Sequence, residues 1–277
     1  MRKWIVAIGL LLLSGCSVKW TYNWLDWLIP WQLDDYVELN DRQSEQLDSL
    51  IATTLAWHRQ NELPRYVEHL SQLRRDLQQP LTAAEIQAHR QRLNQHWDRL
   101  YQHVIPNLIP LIQSLSDRQV AQIIDTVAEQ EQQLKQEELE LTLAKRIVRS
   151  NKQMKQGMEK RLGALTKQQQ RDIEQYNSDR HRSVEMWFAY RGHYQQLLET
   201  GLRQRADTAE LQRVLNLLLV DYDRLKSPEL LAMRDANEQL LLRALTDIQH
   251  SLTAKQSAKL DKELAKFQQD FAELHRQ

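Results

Sequence analysis

The thiol of Cys16 is the side chain in this sequence with the most evident chemistry. Cys16 is the only cysteine among 277 residues, so it cannot form an internal disulfide. Small residues precede it, and before them an apolar run extends from Trp4 to Leu13 behind a basic start. A run of about ten apolar residues is too short to cross a bilayer roughly 30 Å thick and is typical of a secretory signal peptide.

The four residues Leu13-Ser14-Gly15-Cys16 resemble the lipobox of bacterial lipoproteins. The resemblance implies that the thiol is lipidated, that the chain is cut just before it, and that the new amino terminus is acylated. Several acyl chains give stable membrane anchoring. We therefore expect residues 1–15 to be a cleaved signal peptide and Cys16 to carry lipid. Ser17 follows where an aspartate would resemble an inner-membrane retention signal, which favours the periplasmic face of the outer membrane.

Residues 16–39 are expected to form a lipidated anchor segment rich in tryptophan. Its four tryptophans are separated by four, three and four residues, the spacing of one helix face: Trp20, Trp24, Trp27 and Trp31. Tryptophan suits a membrane–water interface because its ring is apolar and its N–H needs a partner. The row is therefore either a membrane-interface surface or a lid that packs on the core of the body. The spacing alone does not separate the two.

The same segment resembles the opening of an uncharacterised family of bacterial lipoproteins. The resemblance rests on residues 19–36, which include Lys19-Trp20-Thr21-Tyr22-Asn23, and continues through Trp57-His58-Arg59 and Glu62-Leu63-Pro64-Arg65-Tyr66. It extends more loosely to Trp187 and Arg191. The resemblance implies a lipid-anchored helical body and no particular activity.

Catalytic patterns are absent from the sequence. It has no histidine pair at metal-binding helical spacing, no glycine-rich phosphate loop and no serine elbow. His58 and His96 each adjoin a tryptophan, and we interpret both as packing residues. The acidic group Asp34, Asp35 and Glu38 is interpreted as a solvated helix turn. We therefore expect no catalytic residues, no metal site and no cofactor.

A second group of residues could bind a ligand. Trp187, Arg191 and Tyr194 share one helix face and form a candidate ligand pocket, in which Arg191 would meet an anion. Apolar residues nearly all round this helix indicate that it is buried. The favoured alternative is an internal ion pair, because a buried guanidinium needs a carboxylate partner.

Charge changes sign along the middle of the chain. Residues 129–140 are rich in glutamate, and residues 145–161 are rich in lysine and arginine. The simpler interpretation is two solvated faces that partly neutralise each other. The alternative is a basic surface for anionic envelope material or an acidic protein.

The overall composition predicts an all-α protein. Glycine and proline number only six each, and leucine and glutamine are abundant. Basic and acidic residues number 37 each, so net charge gives no argument for nucleic-acid binding. We expect residues 40–277 to form a single domain, a multi-helix antiparallel bundle of about 8–10 helices.

Helix starts are marked by a capping box, a small polar residue followed three positions later by Glu or Gln. Six pairs have this spacing: Asn40 and Gln43, Thr82 and Glu85, Ser116 and Gln119, Thr166 and Gln169, Asp207 and Glu210, Thr253 and Gln256. Ser227 followed by Pro228 predicts one more start.

Proline and glycine predict where helices end. The helix after Thr82 is expected to stop at Pro106, before a short helix or turn around Pro110. The helix after Thr166 is expected to be long, reaching about Glu199, with Gly201 as its stop. The sequence leaves open whether the helix that starts after residue 116 continues past residue 142.

These features favour a non-enzymatic interaction scaffold or envelope-maintenance lipoprotein at the outer membrane. Its partners would be the membrane, through the lipid, and an envelope protein or anionic envelope component. The alternative is a periplasmic chaperone, because Leu165-Thr166 with Gln169, and Leu252-Thr253 with Gln256, resemble paired motifs of small helical periplasmic chaperones. A cell-wall hydrolase is a third class, which would need acidic, basic or nucleophilic groups converging in one cleft.

Overall fold

The computed structural model describes residues 18–277, and the predicted signal peptide and Cys16 lie outside this range. Within it the chain forms twelve α-helices and one 3-10 helix, with no strand. The helices are α1 Val18–Tyr22, α2 Leu25–Asp34, α3 Asp41–Asn61, α4 Leu63–Asp76, α5 Ala83–Gln113, α6 Asp117–Leu139, α7 Leu143–Leu162, α8 Lys167–Asp179, α9 Val184–Arg203, α10 Thr208–Leu219, the 3-10 helix Tyr222–Leu225, α11 Pro228–His250 and α12 Ala254–His275. The all-α prediction is confirmed.

Helix α4 contributes residues to a candidate site described below, and helices α3, α5 and α12 pack against it. It pairs along its length with α12, where Arg74 and Asp261 form an ion pair at 2.8 Å. At the other end of this pair, Leu63 and Leu274 are fully buried against Tyr22 of α1. The short α1 is therefore part of the packed structure. No helix within residues 18–277 is long and apolar enough to cross a membrane.

The predicted helix starts form as capped ends. Five of the six capping boxes are complete, with both the cap and the return hydrogen bond. At the sixth, Asp207 accepts from the backbone N–H of Glu210, but the Glu210 carboxylate binds Arg213. Thr142 caps α7, so the question left open by the sequence is answered by a break after Leu139.

The side chains of two capping glutamines also link two interhelical connections that are far apart in sequence. Gln43 donates to the Ser114 carbonyl at 2.8 Å, and Gln119 donates to the Glu38 carbonyl at 2.8 Å. The two side-chain amides also bond each other. Each glutamine thus satisfies a backbone carbonyl of the partner connection, which fixes the start of α3 against the start of α6.

The same arrangement recurs in the second half of the chain. Gln169 donates to the Ser251 carbonyl at 3.1 Å, and Gln256 donates to the Ala164 carbonyl at 3.0 Å. The two amides again bond each other, and both side chains are buried. The paired motifs that resemble a chaperone signature therefore hold the starts of α8 and α12 together.

The predicted stop at Pro106 is wrong. Helix α5 continues through Pro106 and Pro110 to Gln113. An internal proline removes a hydrogen bond and costs about 3 kcal/mol. Here Ile105 and Ile109 are buried against α10, and this packing favours the continuous helix.

The predicted long helix after Thr166 is also wrong. Helix α8 ends at Asp179, Arg180 has an extended backbone, and Ser183 caps α9 by accepting from the backbone N–H of Met186 at 3.1 Å. Polar residues that bond the backbone locally favour such a break. Helix α9 then runs through Gly201, which is buried inside the helix and is not its stop.

Gly201 permits close contact between α9 and α10. A Cβ atom there would lie 2.6 Å from Cγ1 of Val214, which is itself buried. We expect Gly201→Ala to lower the free energy of unfolding by about 1–3 kcal/mol through overpacking. Gly192→Ala in the same helix meets nothing within 4 Å and should be neutral or stabilising. Chemical denaturation of both variants tests this, and equal effects would contradict it.

Candidate functional site

The four tryptophans of the anchor segment form one continuous exposed surface. Their exposed fractions are 54% for Trp20, 45% for Trp24, 54% for Trp27 and 56% for Trp31. Consecutive rings lie 5.4, 6.1 and 5.8 Å apart between centroids. We call these four side chains the tryptophan row. An exposed apolar patch of this kind marks an interaction surface.

The opposite side of the same helices packs on the body. Val18, Thr21 and Tyr22 of α1 are buried. Ile29 and Leu33 of α2 pack against the cluster formed by α3 and α5. Because apolar residues on this side already cover the core, the tryptophan rings are left at the surface.

A second candidate site lies where α4 and α5 pass each other. Glu62, His69 and Asp76 are spaced by seven residues at the start of α4 and along it, and His89 and His96 have the same spacing on α5. A spacing of seven places side chains on one helix face. These two faces meet, and the five side chains form what we call the histidine chain.

Each member of the histidine chain contacts the next. His89 Nε2 lies 3.1 Å from Asp76, and His89 Nδ1 lies 3.2 Å from His69 Nε2. His69 Nδ1 lies 3.3 Å from His96 Nε2, and His96 Nδ1 lies 3.1 Å from Glu62.

Arg99 completes the chain at its buried end. Its guanidinium bonds both carboxylate oxygens of Glu62 at 2.6 and 2.9 Å, and its Nη2 lies 2.5 Å from His96 Nδ1. Glu62 is 1% exposed. Burial raises the pKa of Glu62, but hydrogen bonds from Arg99 and His96 outweigh burial and lower it overall. Glu62 is therefore an ionised carboxylate inside the fold.

Three histidines of this region have pKa values lowered by burial, namely His58, His69 and His96. Burial, with the nearby charges of His96 and His89, lowers the pKa of His69 to about 4. Burial also lowers the pKa of His58 to about 4, although Glu62 opposes this shift. The pKa of His96 is likewise lowered by burial, against a hydrogen bond to Glu62 that raises it.

His58 connects this region to α1. Its Nδ1 lies 3.0 Å from the Tyr22 hydroxyl, and its Nε2 lies 3.1 Å from the Tyr66 hydroxyl. The Tyr66 ring meets the His96 ring edge-on at 4.5 Å. The helix that begins the tryptophan row is therefore joined through hydrogen bonds and ring contacts to the histidine chain.

The geometry of the histidine chain favours a structural role. His96 and Glu62 are buried, and their polar atoms bond each other and Arg99, so no substrate can reach them. Within residues 18–277 no group of three or more His, Cys, Asp or Glu side chains could hold a metal ion. The tryptophans beside His58 and His96 in sequence predict packing roles for both histidines. The heptad spacing on α4 and α5 is the sequence signal that indicates the histidine chain.

In the predicted ligand pocket, Arg191 forms an ion pair with Glu131 of α6. Arg191 donates from Nε to Glu131 at 2.5 Å and lies over the Trp187 ring at 4.8 Å from its centroid. Burial raises the pKa of Tyr194. This is the arrangement that the ion-pair alternative expects. Most side chains of α9 are only half-buried, so the interpretation as a fully buried helix is wrong.

Ion pairs partly neutralise the charges of the glutamate-rich segment 129–140 and of the basic segment 145–161. Glu138 pairs with Arg149 at 2.7 Å and lies 3.8 Å from Arg146, and Lys155 pairs with Glu174 of α8. Asp34 and Asp35 near the tryptophan row are exposed. Glu38, the third member of this acidic group, is exposed as well.

Comparison with protein families matches residues 35–231 to a family of unknown function (DUF6279). The matched range includes the histidine chain and begins after the tryptophan row. Comparisons with curated proteins and with solved structures gave no match. The match covers most of the chain and confirms the predicted resemblance to an uncharacterised family. The chain belongs to this family of unknown function, DUF6279.

Proposed function

We propose that this protein is a lipid-anchored scaffold at the periplasmic face of the outer membrane and that its tryptophan row rests on the bilayer. The exposure of the row carries the proposal. Four large aromatic rings, each about half exposed, lie side by side on helices whose opposite side packs on the body. Tryptophan is favoured at the membrane–water interface, and an exposed row of this size is unfavourable in water.

The position of the predicted lipid supports this orientation. Cys16 lies two residues before Val18, which is 2% exposed. Two residues of extended chain span at most about 7 Å. A lipid on Cys16 would therefore hold α1 against the bilayer without a flexible linker, and the tryptophan row would follow along the membrane surface.

A scaffold accounts for the rest of the surface better than a chaperone does. Apart from the tryptophan row, the exposed large apolar side chains of residues 18–277 number only four, namely Leu93, Leu139, Leu143 and Val148. A chaperone needs a broad apolar surface for unfolded clients. The paired glutamine motifs, which suggested a chaperone, have a structural role in the capping contacts.

The proposal is tested by vesicle binding of a chain that begins at Ser17. Replacement of all four tryptophans of the row by alanine should weaken binding to phosphatidylcholine vesicles at least about 100-fold, since interfacial burial of these rings is worth at least about 3 kcal/mol. The melting temperature should stay unchanged, whereas a lid on the core predicts a lower one. Leu93→Ala removes an exposed apolar side chain from α5 and serves as the control. Unchanged vesicle binding by the four-alanine variant would refute the proposal.

A further inference from the structure

The turn between α6 and α7 gathers most of the exposed aliphatic side chains. Leu139, Leu143 and Val148 lie within one span of ten residues and are 58%, 57% and 66% exposed. Apart from Leu93 and the tryptophan row, they are the only exposed large apolar side chains of residues 18–277. Apolar side chains gathered at one place on a polar surface mark an interaction site.

Hydrogen bonds hold this turn in a fixed shape. Arg149 donates to both carboxylate oxygens of Glu138 at 2.7 and 2.8 Å, and Arg146 donates to the Glu138 carbonyl. These contacts join the end of α6 to the first two turns of α7. Because the surface is already ordered, little conformational entropy is lost when a partner covers it.

The outer side of α6 is acidic. Helix α6 packs against α9 through its other side, where Val120 and Val127 are buried. Asp125 and Glu129 of α6, and Glu140 directly after it, are exposed. Their spacings of four and eleven residues place them on one side of the helix. We call these three carboxylates the acidic face.

The outer side of α7 is basic. Helix α7 packs against α8 and α12, and its Met154 contacts a buried apolar cluster on that inner side. Lys145, Lys152 and Lys160 are exposed, and their spacings of seven and eight residues place them together on the outer side. We call these three ammonium groups the basic face. Glu159 is the one acidic residue among residues 145–161, so the face keeps a net positive charge.

The two faces are complementary in spacing as well as in sign. Asp125 and Glu140 are fifteen residues apart, which is about 22 Å along a helix axis. Lys145 and Lys160 are also fifteen residues apart. When α7 of one molecule lies antiparallel on α6 of another, both ends of the basic face therefore meet an end of the acidic face. The ion pairs that these segments form within one chain use other side chains, namely Glu138, Arg146, Arg149 and Lys155.

We propose that the acidic face of one copy of this chain binds the basic face of a second copy, with the apolar side chains of the α6–α7 turn inside the interface. Because each copy carries both faces, the contact is made twice around a two-fold axis, which closes a dimer. Helices α6 and α7 contain 23 and 20 residues and are about 35 and 30 Å long. Outer sides of this length and about 10 Å wide bury about 1,300 Å² over two copies, which is within the range of stable protein interfaces. The dimer does not rest on the proposed membrane scaffold.

The test is sedimentation equilibrium of the full-length protein in density-matched non-ionic detergent, with micelles in large excess over protein. The wild-type protein should be a dimer, and salt should weaken the dimer because exposed charges are screened. Reversal of either face should weaken it at least about 100-fold, since like charges then meet. The acidic face is reversed by Asp125→Lys, Glu129→Lys and Glu140→Lys, and the basic face by Lys145→Glu, Lys152→Glu and Lys160→Glu. The control reverses three exposed lysines of α12 and should leave the dimer unchanged: Lys255→Glu, Lys262→Glu and Lys266→Glu.

An equal mixture of the two reversed proteins tests the pairing itself. Each reversed face then meets a face of opposite charge, so a heterodimer should form, which also shows that both variants are folded. A wild-type protein that stays monomeric, a dimer that either reversed variant retains, or a mixture that stays monomeric would overturn the proposal. A monomer that binds phosphatidylglycerol vesicles through the basic face would also overturn it and would identify a lipid surface as the partner.

Discussion

Glu62→Ala is expected to lower the free energy of unfolding by about 3–5 kcal/mol, because it leaves a charged partner unpaired at a buried site. Glu62 is 1% exposed and bonds both Arg99 and His96. Its removal eliminates the acceptor of the Arg99 guanidinium and the acid that ends the histidine chain. Urea denaturation of the wild-type protein and the variant measures the loss.

Glu210→Ala is the matched control for this substitution. Glu210 also bonds an arginine with both carboxylate oxygens, at 2.7 and 2.6 Å from Arg213, but this pair lies on the surface of α10. Exposed ion pairs contribute little to stability, so the control should lose far less. If Glu62→Ala and Glu210→Ala have equal effects, burial of the Glu62 pair does not matter and the structural role of the histidine chain is refuted.

Acid should destabilise the fold between about pH 6.5 and 4 through the neutral histidines. The pKa of His58 is about 4 in the folded protein and about 6.5 in the unfolded chain, so the unfolded chain binds more protons as the pH falls. The contribution of neutral His58 to the free energy of unfolding is therefore fully present above about pH 6.5 and is lost as the pH falls toward 4. This difference corresponds to about 3 kcal/mol for His58 alone, and the lowered pKa of His69 acts in the same direction.

The measurement is the free energy of unfolding across this pH range in three proteins. His58→Gln keeps a side chain that can bond both tyrosine hydroxyls, and it should show a smaller loss on acidification than the wild-type protein. His181→Gln changes an exposed histidine outside this region and should follow the wild-type curve. Equal pH dependence of wild type and His58→Gln would show that His58 does not carry the effect.

Local signals in the sequence predicted most helix starts. A capping box needs only residues three positions apart, so its five complete instances could be predicted without knowledge of the fold. Helix ends depended on distant contacts. Helix α5 continues past Pro106 because Ile105 and Ile109 pack on α10, and Gly201 is required by Val214 of another helix.

The two candidate sites also differ in how far the sequence alone could predict them. The tryptophan row was identified from spacing within one segment, and only its exposure had to come from the fold. The histidine chain joins residues of two helices, and its members are separated by as many as 34 positions. Its heptad spacing could have been found on each helix, but the register that brings Glu62 to His96 depends on how α4 and α5 pack.

The most direct test of the membrane-resting row is fluorescence quenching by lipids brominated at defined depths, in the full-length protein inserted in bilayer nanodiscs. Trp57, Trp97 and Trp187 are replaced by phenylalanine, so that emission from residues 16–277 comes only from the tryptophan row. Strongest quenching by bromine near the headgroups is expected, because tryptophan is favoured at that depth. Emission that is insensitive to bromine at every depth, while a water-soluble quencher reduces it, would contradict the proposal.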